Sequence, residues 1–169
     1  MNSQRSWMMM LVLSASLVGC AQMGAGSSTK TQGSGAATSS SNKVPPGMNA
    51  SGEVIDPTQV ESGHGQTVKG INDFEGEITG VPAPGSPFTQ LKIGMGIRQA
   101  MDICGPATDQ GAYVTGKAWI PFYFGSDRSR FELIYKGWGR RIFAGGSVGN
   151  YSGGNLIWII HSSAESGYR

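Results

Sequence analysis

Hydrophobic positions along this chain change their spacing several times, and each spacing predicts a different element. Trp7 to Val18 is an almost unbroken apolar run (WMMMLVLSASLV) behind a polar start that carries Arg5, with no acid before Cys20. At about 1.5 Å per residue the run falls short of the roughly 20 apolar residues a membrane span needs. A charged start, a short apolar run and small residues make a secretory signal over 1–19, removed and not retained. From Gln22 to Gly52 the chain turns to Gly, Ser, Ala and Thr, with a Pro45-Pro46 pair and no aromatic residue. Such a segment buries too little apolar surface to offset its ordering entropy, so 20–52 reads as a disordered tether. A coil of roughly thirty residues reaches about 30 Å.

Across 53–85 the apolar positions (Val54, Ile55, Val60, Val68, Ile71, Phe74, Ile78, Val81) lie scattered among Gly, Asp and Pro. This is an N-terminal arm, in which 67–81 has the pattern of one or two short strands. The run Pro82-Ala83-Pro84-Gly85-Ser86-Pro87 breaks regular structure and marks entry to a main domain over 86–165. Phe88, Leu91, Ile93 and Met95, then Ile97, Ala100, Met101, Ile103 and Cys104, predict a short helical turn at 87–91 and a second helix at 96–104. Gly105 caps that helix and Pro106 stops it.

Three strand-like runs follow: Ala118 to Phe124, Arg130 to Lys136 and Asn155 to His161. In the second, Phe131, Leu133 and Tyr135 share a face; in the third, Leu156, Trp158 and Ile160 do. Arg140 to Ala144 reads as an extension of the second strand beyond Gly137-Trp138-Gly139. Pro121 places the first strand at an edge or a bulge. The predicted fold is α+β: two short helices packed on one face of a three-stranded antiparallel sheet, after the disordered N-terminal tether.

Charge and cysteine content narrow the function. Of 13 basic side chains, Arg5 leaves with the signal, so the remaining 12 face 11 acids. That near-neutrality argues against binding nucleic acid by bulk charge. Leu17-Val18-Gly19-Cys20 matches the lipobox of bacterial lipoproteins, which implies cleavage between Gly19 and Cys20 and a lipid on the Cys20 sulfur. Each buried methylene contributes about 0.8 kcal/mol, so two or three acyl chains hold stably where one does not. The partner so implied is a membrane. Ala21 is not the aspartate that marks inner-membrane retention, which favours the periplasmic face of the outer membrane. With Cys20 lipidated, Cys104 has no disulfide partner in the chain.

Leu91, Ile93, Gly94 and Met95, then Ile103, Gly105 and Pro106, the Trp119 to Phe124 run, Leu133 and Asn155 to Ile159 follow an order that resembles the SmpA/OmlA (BamE-like) lipoproteins. The resemblance covers 86–162. It implies a lipid-anchored, non-catalytic envelope adaptor with an envelope protein partner, in outer-membrane protein assembly by the β-barrel assembly machinery or in envelope integrity. Gly94-Met95-Gly96 departs from the family pattern in lacking a threonine cap, Gly105-Pro106 in lacking an intervening residue, and Gly145 to Gly154 in replacing a tight turn. The alternative is a periplasmic inhibitor or ligand-binding lipoprotein with a β-lactamase-inhibitor-like unit.

Catalytic chemistry finds little support in the sequence. Cys104 and His161 form a nucleophile and base only on paper, because Cys104 ends an apolar helix face, where thiols usually pack and stay inert. His64 has no neighbouring ligand, and the alternating Asp73, Glu75 and Glu77 read as a solvated strand face, so neither a metal nor a cofactor is expected. The glycine-rich GAGSSTK and GGSVGNYSGG lack the order of a phosphate loop. Arg128, Arg130, Lys136, Arg140 and Arg141 make either a solvated strand face or a patch for anionic lipid or an acidic partner. The contact residues so nominated are Trp119, Tyr123, Arg140 and Arg141.

Overall fold

The computed structural model describes residues 43–146, 150 and 152–169. The signal at 1–19, the Cys20 lipid site and residues 21–42 lie outside the described residues. Six strands form one sheet: β1 (Gln66–Lys69), β2 (Glu75–Thr79), β3 (Asp109–Val114), β4 (Ser129–Tyr135), β5 (Gly139–Ala144) and β6 (Asn155–His161). Their spatial order is β1-β2-β6-β5-β4-β3. Every neighbouring pair is antiparallel except β2 and β6, which run parallel, with Glu77 opposite Trp158 and Thr79 opposite Ile160.

One α-helix, α1 (Ile97–Cys104), covers a face of this sheet. It forms where the sequence places it: Ile97, Ala100 and Cys104 recur at helical spacing and are buried. The Gly105 amide closes the last turn on the Met101 carbonyl, and Gly105 itself takes φ +73°, a conformation open to glycine.

Among the described residues the sheet is mixed and six-stranded, with one α-helix, and so corrects the expected two helices on three antiparallel strands. Residues 87–90 make only a 3-10 turn, held by the Ser86 hydroxyl accepting from the Phe88 amide at 3.3 Å, and Leu91 is already extended. Ala118 to Phe124 is not a strand. Gly116–Trp119 is a 3-10 turn, and the Tyr123 amide donates to the Ile120 carbonyl around Pro121. Polar Asp109–Val114 pairs with β4 instead, and at a sheet edge one half-solvated strand needs few apolar residues. Gly137-Trp138-Gly139 is a reversal, not an interruption: Tyr135 lies opposite Gly139, so β5 folds back on β4. The arm supplies β1 and β2, which extend the sheet on the far side of β6.

Residues 43–52, at the end of the stretch read as tether, form turns in which Met48 bridges to Val54. The Asn49 side chain there accepts from the Ser51 and Glu53 amides. Val54, with Met48 and Val60, packs on Ile142, Trp158 and Ile160. The sheet therefore has two apolar faces. Phe88, Leu91, Ile93, Ile97 and Ala100 meet Leu133, Tyr135, Phe143, Leu156 and Ile159 on the helix side.

A bulge separates the two faces. Ile142 lies opposite Trp158 but Phe143 opposite Leu156, so β6 carries one extra residue, Ile157. Leu156 consequently faces α1, while Trp158 and Ile160 face the arm, in place of the single shared face expected from strict alternation. Phe131, Leu133 and Tyr135 do share the helix side.

Two glycines test this packing. A Cβ at Gly76 would sit 2.3 Å from the Ile157 carbonyl oxygen, whereas one at Gly96, the helix N-cap, would meet nothing. Gly76→Ala should lower unfolding free energy by about 1–3 kcal/mol. Gly96→Asp, which adds a capping acceptor, should raise it by about 0.5 kcal/mol. Denaturant melts of the two variants measure both.

Candidate functional site

Between β3 and β4 the chain makes a loop, 115–128, whose base is polar and whose tip is apolar. At the base the Thr115 amide donates to the Arg128 carbonyl at 2.9 Å and the Thr115 hydroxyl to the Asp127 carbonyl. Asp127 then accepts from Lys117 Nζ at 2.8 Å and from Arg130 Nε and Nη2 at 2.7 and 3.1 Å. Partial burial pushes the Asp127 carboxyl up, but hydrogen bonds from Arg130 and Lys117 and their charges outweigh that and hold it below the usual range. Asp127 in turn raises both bases. The one acid at the loop base is thereby neutralised in place.

At the tip, Trp119 is 83% exposed, Phe122 89% and Phe124 86%, with Ile120 at 53%. Tyr113 and Val114 at the end of β3 are also exposed. Tyr123 differs. It is half-buried and folds back over Gly125, where an added Cβ would come within 2.4 Å of its hydroxyl. Phe122 has φ +62°, the left-handed region that a bulky side chain occupies only at a cost. At the third position of a turn led by Pro121, glycine is the favoured residue.

The four nominated contact residues thus separate. Trp119 is exposed, Tyr123 is half-buried, and Arg140 and Arg141 are both buried, so neither arginine reaches a lipid headgroup or a partner. Neighbours on β5, the two arginines point to opposite faces. Arg140 is clamped between Glu165 and Glu132, with Nε to Glu165 Oε2 at 2.5 Å and Nη1 to Glu132 Oε1 at 3.2 Å. Burial acts to lower its pKa, but the two carboxylates prevail and raise it.

Arg141 is fully inside, on the helix side. Its Nη1 donates to the Ala100 carbonyl at 2.8 Å, and its guanidinium carbon lies 4.0 Å from the Tyr135 ring centre and 5.2 Å from that of Phe88. Among the described residues its Nε and Nη2 have no oxygen or nitrogen partner. Burial pulls its pKa down to about 10. The clustering of basic residues in sequence misled because the sheet is covered on both sides and buries both arginines.

Cys104 and His161 are not joined by a hydrogen bond, and each is buried. Burial raises the Cys104 thiol, with the Arg141 charge only partly offsetting it, and burial lowers the His161 imidazole. Both shifts weaken the charged forms that nucleophile and acid chemistry use. Glu77 accepts from the Gly63 and Gly65 amides at 2.7 and 2.6 Å, and Glu75 lies 3.8 Å from Lys69. Together with Asp127, Arg130 and Trp158 they line an open cleft of about 450 Å³. Among the described residues no group of three or more His, Cys, Asp or Glu is placed to hold a metal ion.

Ile120, Phe122 and Phe124 are the candidate contact residues that the strand assignment concealed. The signal was present in the unbroken AWIPFYF run, which lacks the alternation of a half-buried strand and has a proline at its centre. No protein-family model matches the chain, and no curated protein or solved structure shows significant similarity to it.

The arginine pair gives a contrast. Arg140→Met strands the buried Glu165 and Glu132 and should cost about 3–5 kcal/mol, whereas Arg141→Met removes a buried charge with no carboxylate partner and should change stability by about 1 kcal/mol or less, or raise it. Urea unfolding at neutral pH measures both.

Proposed function

We propose that this protein is a lipid-anchored, non-catalytic envelope adaptor, held through Cys20 at the periplasmic face of the outer membrane and engaging the envelope through loop 115–128. The observation that carries the reading is the free-standing apolar tip: Trp119, Ile120, Phe122 and Phe124 lie within six residues and are each more than half exposed. Exposed apolar patches of this kind mark interaction surfaces. The lipobox at Leu17-Val18-Gly19-Cys20 supports the anchor. The inhibitor alternative and the BamE-like fold both rested on a pair of helices over a sheet, and the described residues hold one α-helix, so the lipobox and the exposed tip carry this reading and the fold does not.

The β-barrel assembly machinery is the first protein partner to test. In cells, Cys20→Ser should move the chain from membranes to the soluble fraction after high-salt and alkaline washing, and retention on washed membranes would contradict the anchor. The wild-type lipoprotein, purified from gently solubilised membranes, should bring down an outer-membrane assembly subunit. Recovery of the bait alone would contradict the adaptor role.

A further inference from the structure

We infer that the tip of loop 115–128 inserts into the lipid–water interface of a membrane, with Trp119, Ile120, Phe122 and Phe124 in the acyl boundary and Lys117 and Arg128 at the headgroups. This inference rests on the adaptor reading and names what the loop of that adaptor engages. Three observations point to lipid. The tip is a convex turn whose rings are more than four-fifths exposed at Trp119, Phe122 and Phe124. Protein-binding surfaces rely on shape complementarity around a packed centre, whereas a bilayer accepts protruding rings of any shape. Tryptophan and other amphipathic rings collect at that interface.

The backbone supplies the second observation. Phe122 holds φ +62° and is 89% exposed, so the domain bears the strain of a large ring where glycine is favoured and gains no internal packing from it. Strain kept without an internal return is a mark of a working site. Charge supplies the third. Lys117 and Arg128 flank the tip, Arg130 lies behind it, and the one acid, Asp127, is already paired with Lys117 and Arg130. Lys117, Arg128 and Arg130 thus outnumber the single acid of the loop, and the loop carries net positive charge toward anionic headgroups.

The test uses the full chain reconstituted in vesicles of phosphatidylethanolamine and phosphatidylglycerol, with and without bromine on the acyl chains, after flotation confirms that the protein travels with the vesicles. The Trp119 signal is the difference between wild type and Trp119→Phe. Brominated acyl chains should quench it, and the triple variant Ile120→Ser/Phe122→Gly/Phe124→Ser, with an unchanged melting temperature, should lose that quenching. Trp119 emission that is equal in the two vesicle types would overturn the inference. So would a photoreactive group at position 122 that yields a single protein adduct in intact envelopes while Trp119 escapes bromine. Either result leaves the Cys20 anchor and partner recovery to stand or fall by their own experiments.

Discussion

Strand β6 is the constraint on which the rest of the molecule depends. It pairs antiparallel with β5 and parallel with β2, so it joins the meander of β3, β4 and β5 to the strands contributed by the arm. Its extra residue, Ile157, sends Leu156 to the helix side and Trp158 to the arm side. The Trp158 indole N–H then finds Thr79 Oγ1 at 2.9 Å, a buried link between β6 and β2. Without that two-sided strand, 48–60 would lose Trp158 and Ile160 and keep only Ile142 of β5 to pack on.

Covering both faces explains how two neighbouring arginines come to be buried in different ways. On the arm side Arg140 meets two carboxylates and forms a closed ion cluster. On the helix side Arg141 meets rings and one carbonyl, where a guanidinium stacks on Tyr135 and its hydrogen-bonding capacity is only partly used. A flat cation tolerates that setting because its charge is delocalised and weakly hydrated. Tyr135 also donates its hydroxyl to the Gly105 carbonyl at 2.8 Å, which ties the end of α1 to β4. The polar groups of this core orient its elements.

Legibility in the sequence followed local physics. Helix α1 and its glycine cap, the face shared by Phe131, Leu133 and Tyr135, and the extent of β6 were readable because periodicity and capping act over a few residues. The end of β4 was not, because 140–144 was joined to it across the turn. The parallel β2–β6 pair was not, since partners about 80 residues apart leave no local mark. The polar edge strand β3 and the bulge at Ile157 were also hidden, because one obeys no apolar alternation and the other breaks it. The aromatic run 118–124 was visible as composition but was assigned to the sheet, since aromatic residues ordinarily favour strands. Of the nominated contacts only Trp119 is fully presented, and the two arginines were assigned to solvent by a pattern that a covered sheet imitates.

A domain with two packed faces and a strained, free-standing aromatic turn separates what holds it together from what it offers to its surroundings. Equilibrium unfolding of the full chain carrying Trp119→Ser, Ile120→Ser, Phe122→Ser and Phe124→Ser together tests that separation most directly. The unfolding free energy should stay within about 1 kcal/mol of wild type, as for substitutions on an open surface. A loss of about 5 kcal/mol or more, the scale of emptying a core, would contradict it.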